Sequence, residues 1–125
     1  SIGDEAFYAC YSLTSISLPK SLKSIGNYGF RSTGLTSITI PENVRSIGGS
    51  AFDSCTYLKK VVLPEGITRI ASKIFNNCTH LTSITIPDSV TSIGQAAFSG
   101  CTKLKSIVIP DSVIEINVIK KARMR

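Results

Sequence analysis

The chain repeats itself about every 23 residues, and this periodicity constrains the fold more than any other feature. Its five phenylalanines are spaced 23, 22, 23 and 23 residues apart, and its five prolines 22, 23, 23 and 23 residues apart. The positions are Phe7, Phe30, Phe52, Phe75 and Phe98, and Pro19, Pro41, Pro64, Pro87 and Pro110. Self-similarity with such a period indicates stacked structural units, so the sequence predicts a solenoid with a long, thin core.

Aligned on phenylalanine, the chain divides into five units and a remainder. The units, named coils 1 to 5 below, cover residues 2–24, 25–46, 47–69, 70–92 and 93–115. They share the pattern I-G-x-x-A-F-x-x-C-x-x-L-x-x-I-x-[IL]-P, although coil 2 is one residue short and lacks the cysteine. Residues 116–125 are predicted to form a degenerate cap or a basic tail. Because Ser1 lies inside a repeat, we expect the chain to be a segment of a longer array.

Each unit predicts the same local structure. From Leu81 to Ile86 apolar and polar residues alternate toward the end, which predicts a short half-buried β-strand that Pro87 terminates. Ala97 and Phe98 predict a short helical or 3-10 turn. The predicted fold class is therefore an α/β solenoid in which the strands of successive coils form a parallel ladder. Coil 4 carries Ala71 and Ile74 where the pattern has Gly and Ala, so a local distortion of its convex turn is expected.

The four cysteines occupy one position of the repeat, at Cys10, Cys55, Cys78 and Cys101. Zinc sites use close cysteine pairs, and no such pair exists in this chain. Side chains at equivalent positions of a ladder point the same way rather than at each other, which disfavours disulfides. We therefore predict four buried, reduced thiols and no metal site; thiol titration of the denatured chain should find all four free.

The net charge of +6 comes mostly from the end of the chain. Lys120, Lys121, Arg123 and Arg125 account for four of the 14 basic residues, which leaves ten basic against eight acidic residues in the body. Two interpretations stay open for these residues: a solvated tail, or attachment to an anionic surface. No specific nucleic-acid interface is predicted, since cations are not spread over one face. No apolar run is long enough to span a bilayer.

Recognition residues are expected on and beside the predicted sheet. Ten strand positions should point away from the core, and seven of them are Ser or Thr: Ser15, Ser17, Ser37, Thr39, Lys60, Val62, Ser83, Thr85, Ser106 and Val108. Such residues tolerate solvent and need no ligand. More varied side chains precede the strands, so the predicted protein-contact rim is Tyr57, Lys60, His80 and Lys103. These could equally be ordinary exposed loop residues.

Catalysis is not predicted. His80 is the single histidine, and no serine lies in a G-x-S-x-G motif. The chain contains neither a Walker A loop nor a G-x-G-x-x-G motif, so no cofactor is expected. The prediction is a non-enzymatic protein.

The repeat itself carries a family resemblance. The string Ile93-Gly94-x-x-Ala97-Phe98-x-x-Cys101-x-x-Leu104-x-x-Ile107-x-Ile109-Pro110 resembles the BspA-like, or Treponema pallidum-type, leucine-rich repeat, and the likeness covers residues 1–115. It implies a right-handed curved coil with a parallel sheet on the concave face and short helical turns and extended segments elsewhere. It also implies a cell-surface or secreted protein that takes part in adhesion and in binding host matrix proteins.

Three functional hypotheses follow. The first is a protein-binding or adhesion module that presents its concave sheet to a protein partner, such as a host matrix or surface protein. The second is a structural spacer with no ligand of its own. The third is attachment to an anionic surface through residues 120–125. In addition, neither end carries a recognisable polar cap, so end-to-end self-association through the terminal coils is expected.

Overall fold

The structure, a computed structural model, describes residues 1–116 and 123–124. Within these ranges it contains short strands and turns but no helix, so the helical component of the predicted α/β fold is wrong. The strands are β1 (Ser24–Ile25), β2 (Ser37–Thr39), β3 (Ser46–Ile47), β4 (Lys60–Val62), β5 (Arg69–Ile70), β6 (Ser92–Ile93), β7 (Ser106–Ile107), β8 (Glu115–Ile116) and β9 (Arg123–Met124). Of the remainder predicted over 116–125, residues 117–122 and 125 lie outside the described ranges.

The strands form two sets of parallel pairs on different sides of each coil. One set precedes the prolines and pairs β2 with β4 and β7 with β9. The other set follows the proline turns and pairs β1 with β3 and β5 with β6 and β8, while Ile2 forms a bridge to Ile25. Coil-to-coil pairs join equivalent repeat positions, such as Ile38 with Val61. The predicted parallel ladder is therefore confirmed in part, because coils 1 and 4 form no strand before their prolines, and the second set was not predicted.

A third ladder runs along the phenylalanine turns. The Phe30 amide donates to the Ala51 carbonyl at 2.8 Å, and the amides two residues before and after Phe30 donate to coil 3 in the same way. In every coil the residues two before and two after the phenylalanine have φ between 56° and 78°. A right-handed helix needs negative φ throughout, so this alternation produces a turn ladder where a helical turn was predicted.

The phenylalanine rings form one column through the core. Successive ring centroids lie 5.1, 5.4, 5.7 and 5.8 Å apart, and neighbouring rings are inclined by 18° or less. Four of the rings are fully buried, and Phe7 in coil 1 is half-buried. Leu, Ile and Val side chains of the ladders surround the column. Because one coil cannot bury its own apolar face, stacking supplies the hydrophobic stabilisation.

Three of the cysteines are buried beside this column. The Sγ atoms of Cys55, Cys78 and Cys101 donate to the carbonyl of the phenylalanine in the preceding coil, at 3.1, 3.2 and 3.1 Å. Burial raises the pKa of Cys55, that of Cys78 further, and that of Cys101 to about 11. Cys10 is exposed, so the predicted burial is wrong for this residue, because coil 1 lies at the outer end of the stack.

The strand ladders are interrupted between coils 3 and 4. Coil 4 should contribute a strand from Leu81 to Ile86, but this segment forms none, and β3 does not pair with β5. The missing pairing between β3 and β5 is explained by the residue that follows the first isoleucine of each coil. A Cβ at Gly48 or Gly94 would lie 2.5 or 2.6 Å from a backbone nitrogen of the preceding coil.

Coil 4 has Ala71 at that position. The amides of Gly48 and Gly94 donate to the preceding coil at 2.8 and 2.7 Å, whereas Ala71 has no such bond. The methyl group of Ala71 therefore prevents the close approach that the ladder requires. The convex turn of coil 4 keeps the geometry of the other coils, with φ of 57° at Lys73 and 60° at Asn77, so the distortion expected in this turn is not observed. Ile74 causes none, because Phe52 still donates to its carbonyl at 2.9 Å.

Candidate functional site

The outward sheet face is exposed throughout. All ten positions predicted to point away from the core are exposed, including Val62 and Val108, which are 40% and 67% accessible. The alternation of buried and exposed residues in β2 and β4 places these side chains on one face. Hydroxyl groups are the most frequent groups on this face, so it offers hydrogen-bond donors and acceptors together with the apolar side chains of Val62 and Val108.

Two residues of the predicted rim lie in direct contact. The rings of Tyr57 and His80 have centroids 5.7 Å apart and are inclined by 31°. The Nδ1 atom of His80 lies 2.5 Å from the Thr56 carbonyl, so Nδ1 carries the hydrogen and donates it. Tyr57 remains 59% exposed beside the imidazole ring. The pair forms an aromatic surface at the entrance to the strands, fixed to the backbone of coil 3.

The two lysines of the predicted rim stand apart from this pair. Lys60 lies in β4, where it pairs with Ser37 of β2 and points to the outward face. Lys103 occupies the position of His80 in the next coil and is exposed. Of the four predicted residues, the structure thus brings Tyr57 and His80 together, and it places Lys60 on the sheet and Lys103 farther along the rim.

Two open grooves cross the outward face. The larger, of about 750 Å³, lies between coils 1 and 2 and is lined by Ser15, Ser17, Lys20, Ser37, Thr39 and Glu42, among others. The smaller, of about 280 Å³, lies between coils 3 and 4, on the side of β4 that faces coil 4 and pairs with no strand. Its lining includes Lys60, Glu65 and Thr85. Both combine hydroxyl groups, one ammonium group and one carboxylate group with apolar side chains such as Ile16 and Ile84, a lining suited to a protein segment of mixed polarity.

Sequence analysis missed a column of carboxylates at the far end of the strands. The residue after proline is acidic and exposed in coils 2 to 5: Glu42, Glu65, Asp88 and Asp111. The signal was present in the repeat alignment, where these residues had been assigned only to turns. The outward face therefore lies between an acidic edge and an edge that carries Tyr57, His80 and Lys103.

Within residues 1–116 and 123–124, no group of three or more His, Cys, Asp or Glu residues is placed to hold a metal ion. In the same part of the chain, no helix is long and apolar enough to cross a membrane.

These features define a leucine-rich-repeat solenoid. Residues 1–119 match the family model described as the BspA type leucine rich repeat region (6 copies). The chain belongs to this family, and the predicted resemblance is confirmed. In a comparison with curated protein sequences, none matches this chain.

Solved structures share the fold. A leucine-rich repeat protein from Bacteroides ovatus matches with a TM-score of 0.93 and 35% identity, over 98% of this chain and 32% of that one. A leucine rich cell surface protein from Faecalibacterium prausnitzii gives 0.75 and 32%, over 80% and 30% of the two chains. The T. pallidum leucine rich repeat protein gives 0.74 and 35%, over 80% and 50%. The chain thus spans half or less of each relative's length.

Proposed function

We propose that this chain is a non-enzymatic protein-binding module of a cell-surface or secreted protein, and that its outward sheet face contacts a protein partner. The observation that carries the proposal is the exposure of all ten outward positions on one face. The curvature implied by the resemblance would make this face concave. A host matrix or surface protein is the class of partner that the family resemblance suggests.

The chemistry of the face supports a protein partner. Tyr57 offers a large exposed ring whose contact with His80 limits its motion, and aromatic anchors of this kind often dominate interface energies. Lys60 adds a cation on the face, and the acidic column from Glu42 to Asp111 adds the opposite charge at its edge. Such a distribution fixes the orientation of a partner with complementary charges.

The test is binding of the chain to immobilised host matrix proteins, measured by surface plasmon resonance. Tyr57→Ala and Lys60→Ala should each weaken binding about tenfold, because each removes a central contact. Lys73→Ala is the matched control, since Lys73 is exposed on the turn side of coil 4. Equal binding by all three variants would contradict the assignment of the face.

A structural spacer is the second candidate, and one observation favours it. Seven of the ten outward residues are Ser or Thr, whose hydroxyl groups can hydrogen-bond to water and need no ligand. If no matrix protein binds, and if the parent protein works equally well with consensus repeats in place of this segment, the spacer function is supported. Localisation at the cell surface is part of either proposal, and the Faecalibacterium relative is a cell surface protein.

A further inference from the structure

Four side chains near the turns of coils 1 to 3 form a cluster that the sheet-based function does not use. Tyr8, Arg31 and Asp53 each follow the phenylalanine of their coil, so they lie in one column. The Cζ atom of Arg31 lies 5.6 Å from the ring centroid of Tyr8 and 5.7 Å from that of Tyr28. Both distances are within the range of cation–π interactions, so two rings hold one guanidinium group.

Asp53, in the next coil, pairs with Arg31. Its side chain is 7% exposed, and its Oδ2 atom lies 3.7 Å from Nε of Arg31. Its Oδ1 atom accepts hydrogen bonds from Ser54 Oγ at 3.0 Å and from Asn76 Nδ2 at 3.2 Å. A buried carboxylate needs such partners, and they fix its position. The ion pair therefore orients the Arg31 side chain. At 3.7 Å the contact is too long to be a hydrogen bond, so it does not use the Nε–H as a donor.

The guanidinium group keeps donors for a ligand. Its Nε atom is buried and lacks a hydrogen-bond acceptor, so the part of the group open to a ligand is the outer edge that carries the Nη atoms. The Arg31 side chain is 38% exposed, and Tyr8 and Tyr28 are 46% and 40% exposed. An arginine with its planar group already oriented loses less entropy when it binds a carboxylate in a bidentate manner.

We infer that Tyr8, Tyr28 and Arg31, here named the turn patch, form a second protein-contact surface that binds a partner segment carrying a single Asp or Glu carboxylate beside apolar side chains. The carboxylate pairs with the guanidinium group of Arg31, and the apolar neighbours pack on the two tyrosine rings. Tyr and Arg are the residues enriched at the energetic centres of interfaces, and none of the ten outward positions named above is a Tyr or an Arg.

The charges around the patch favour one carboxylate over a polyanion. Asp53 lies directly behind Arg31, and Glu5 occupies the position of Tyr28 in the preceding coil. Sulfated glycans, nucleic acids and anionic membranes bind where several cations share one surface. Here one cation stands among two acidic residues, so a polyanion would meet repulsion that an isolated carboxylate avoids.

The test uses randomised heptapeptides displayed on phage and selected on the intact 125-residue chain. Selected peptides should be enriched in one Asp or Glu flanked by apolar residues. A selected peptide, made synthetically, should lose affinity about tenfold or more with Arg31→Ala and with Tyr8→Ala. Its Glu→Gln or Asp→Asn counterpart should show the same loss. Lys73→Ala, a change on the same side of the solenoid, is the control and should leave the affinity unchanged.

Two further measurements keep the result decisive. Arg31→Lys preserves the charge beside Asp53, so it should fold normally and still weaken binding, because lysine lacks the planar donor geometry. Binding of matrix proteins through the outward sheet face should be unaffected by Arg31→Ala, which separates this proposal from the proposed function. The inference is overturned if no acidic peptide is selected, if Arg31→Lys binds like the unaltered chain, or if heparin competes for the patch while the acidic peptide does not bind.

Discussion

The junction between coils 2 and 3 and the junction between coils 3 and 4 are built from the same repeat, yet they are held together differently. At the 2–3 junction both strand sets pair, through β1 with β3 and β2 with β4, and the turn ladder is complete. At the 3–4 junction neither strand set pairs. There the turn ladder remains, with Phe52 donating to Ile74, together with the ring contact between Phe52 and Phe75 at 5.7 Å.

The difference in strand pairing between the two junctions goes with a small difference in sequence. The 2–3 junction has Gly48 at the point of closest approach, and the 3–4 junction has Ala71. One methyl group thus decides whether β3 pairs with β5, while the turn ladder and the aromatic column tolerate the change. Each coil contacts only its neighbours, so a weak junction is a local property that divides the array into two blocks.

The largest expected effect comes from removing an aromatic ring at the weaker junction. Phe75→Ala should lower the free energy of unfolding by about 3–5 kcal/mol, because a fully buried ring is lost and a cavity remains. Phe30→Ala should lower the free energy of unfolding by a similar amount. It should keep a single unfolding transition, because the strand pairs β1–β3 and β2–β4 still join coils 2 and 3. In urea, Phe75→Ala should instead show two transitions. A single transition for both variants would remove the distinction between the junctions.

A buried thiol lies at the junction of coils 2 and 3, at that of coils 3 and 4 and at that of coils 4 and 5, and burial raises the pKa of each, so their contribution to stability should depend on pH in the same way. An unfolded cysteine ionises near pH 9.0, and in the folded chain the pKa of Cys101 is raised to about 11. Between these values the folded state binds more protons, so its stability falls as pH rises from 9 to about 11, by about 2–3 kcal/mol. The raised pKa values of Cys55 and Cys78 act in the same direction. Urea denaturation of Cys101→Ala over this range should show a shallower decline; an equal slope would contradict the account.

Converting the stronger junction into the weaker one is the next test. Gly48→Ala should destabilise the chain by about 1–3 kcal/mol, because the new Cβ would lie 2.5 Å from the Asn27 nitrogen and force the coils apart. Gly3→Ala is the matched control, since a Cβ at Gly3 meets no atom within 4 Å. If both variants unfold at the same urea concentration, close approach is not what requires glycine.

The reverse change should have a smaller effect of opposite sign. Ala71→Gly allows the amide of residue 71 to reach the Ile47 carbonyl and β3 to pair with β5. The restored hydrogen bonds contribute about 1 kcal/mol each, against about 0.5–1 kcal/mol for the added backbone entropy of glycine. A net stabilisation of about 1 kcal/mol is expected in thermal or urea unfolding. A loss of stability, as for an ordinary Ala→Gly change, would contradict the role given to the Ala71 methyl group.

Much of the fold could be predicted because each structural position recurs in five coils, so the residue types found there show whether the position is buried or exposed. The phenylalanine column and the ten outward positions follow from side-chain chemistry at fixed spacing, and both are confirmed. The second strand set escaped prediction because two-residue strands are too short for alternation to show. The turn ladder escaped because nine of its ten left-handed positions are not glycine, so no local signal distinguishes them from a helical turn.

The candidate sites were less predictable for a different reason. Tyr57 and His80 lie one period apart, and the structure joins them as the repeat suggested. Arg31 and Asp53 also lie one coil apart, and aligning the residue after each phenylalanine would have placed them together. Their pairing was missed because the column mixes Tyr, Arg, Asp and Asn, which resembles ordinary surface variation until burial of Asp53 is known. Protein contact by Tyr57, Lys60, His80 and Lys103 remains a prediction for all four residues.

Native-state hydrogen exchange of three equivalent amides tests the contrast between the junctions most directly. Gly48 and Gly94 donate to the preceding coil, whereas Ala71 occupies the same position without a bond. The account predicts slow exchange at Gly48 and Gly94 and faster exchange at Ala71, while the amides of Phe52 and Phe75 in the turn ladder stay protected. Equal protection at all three positions would show that coils 3 and 4 are joined like the others and would contradict the account.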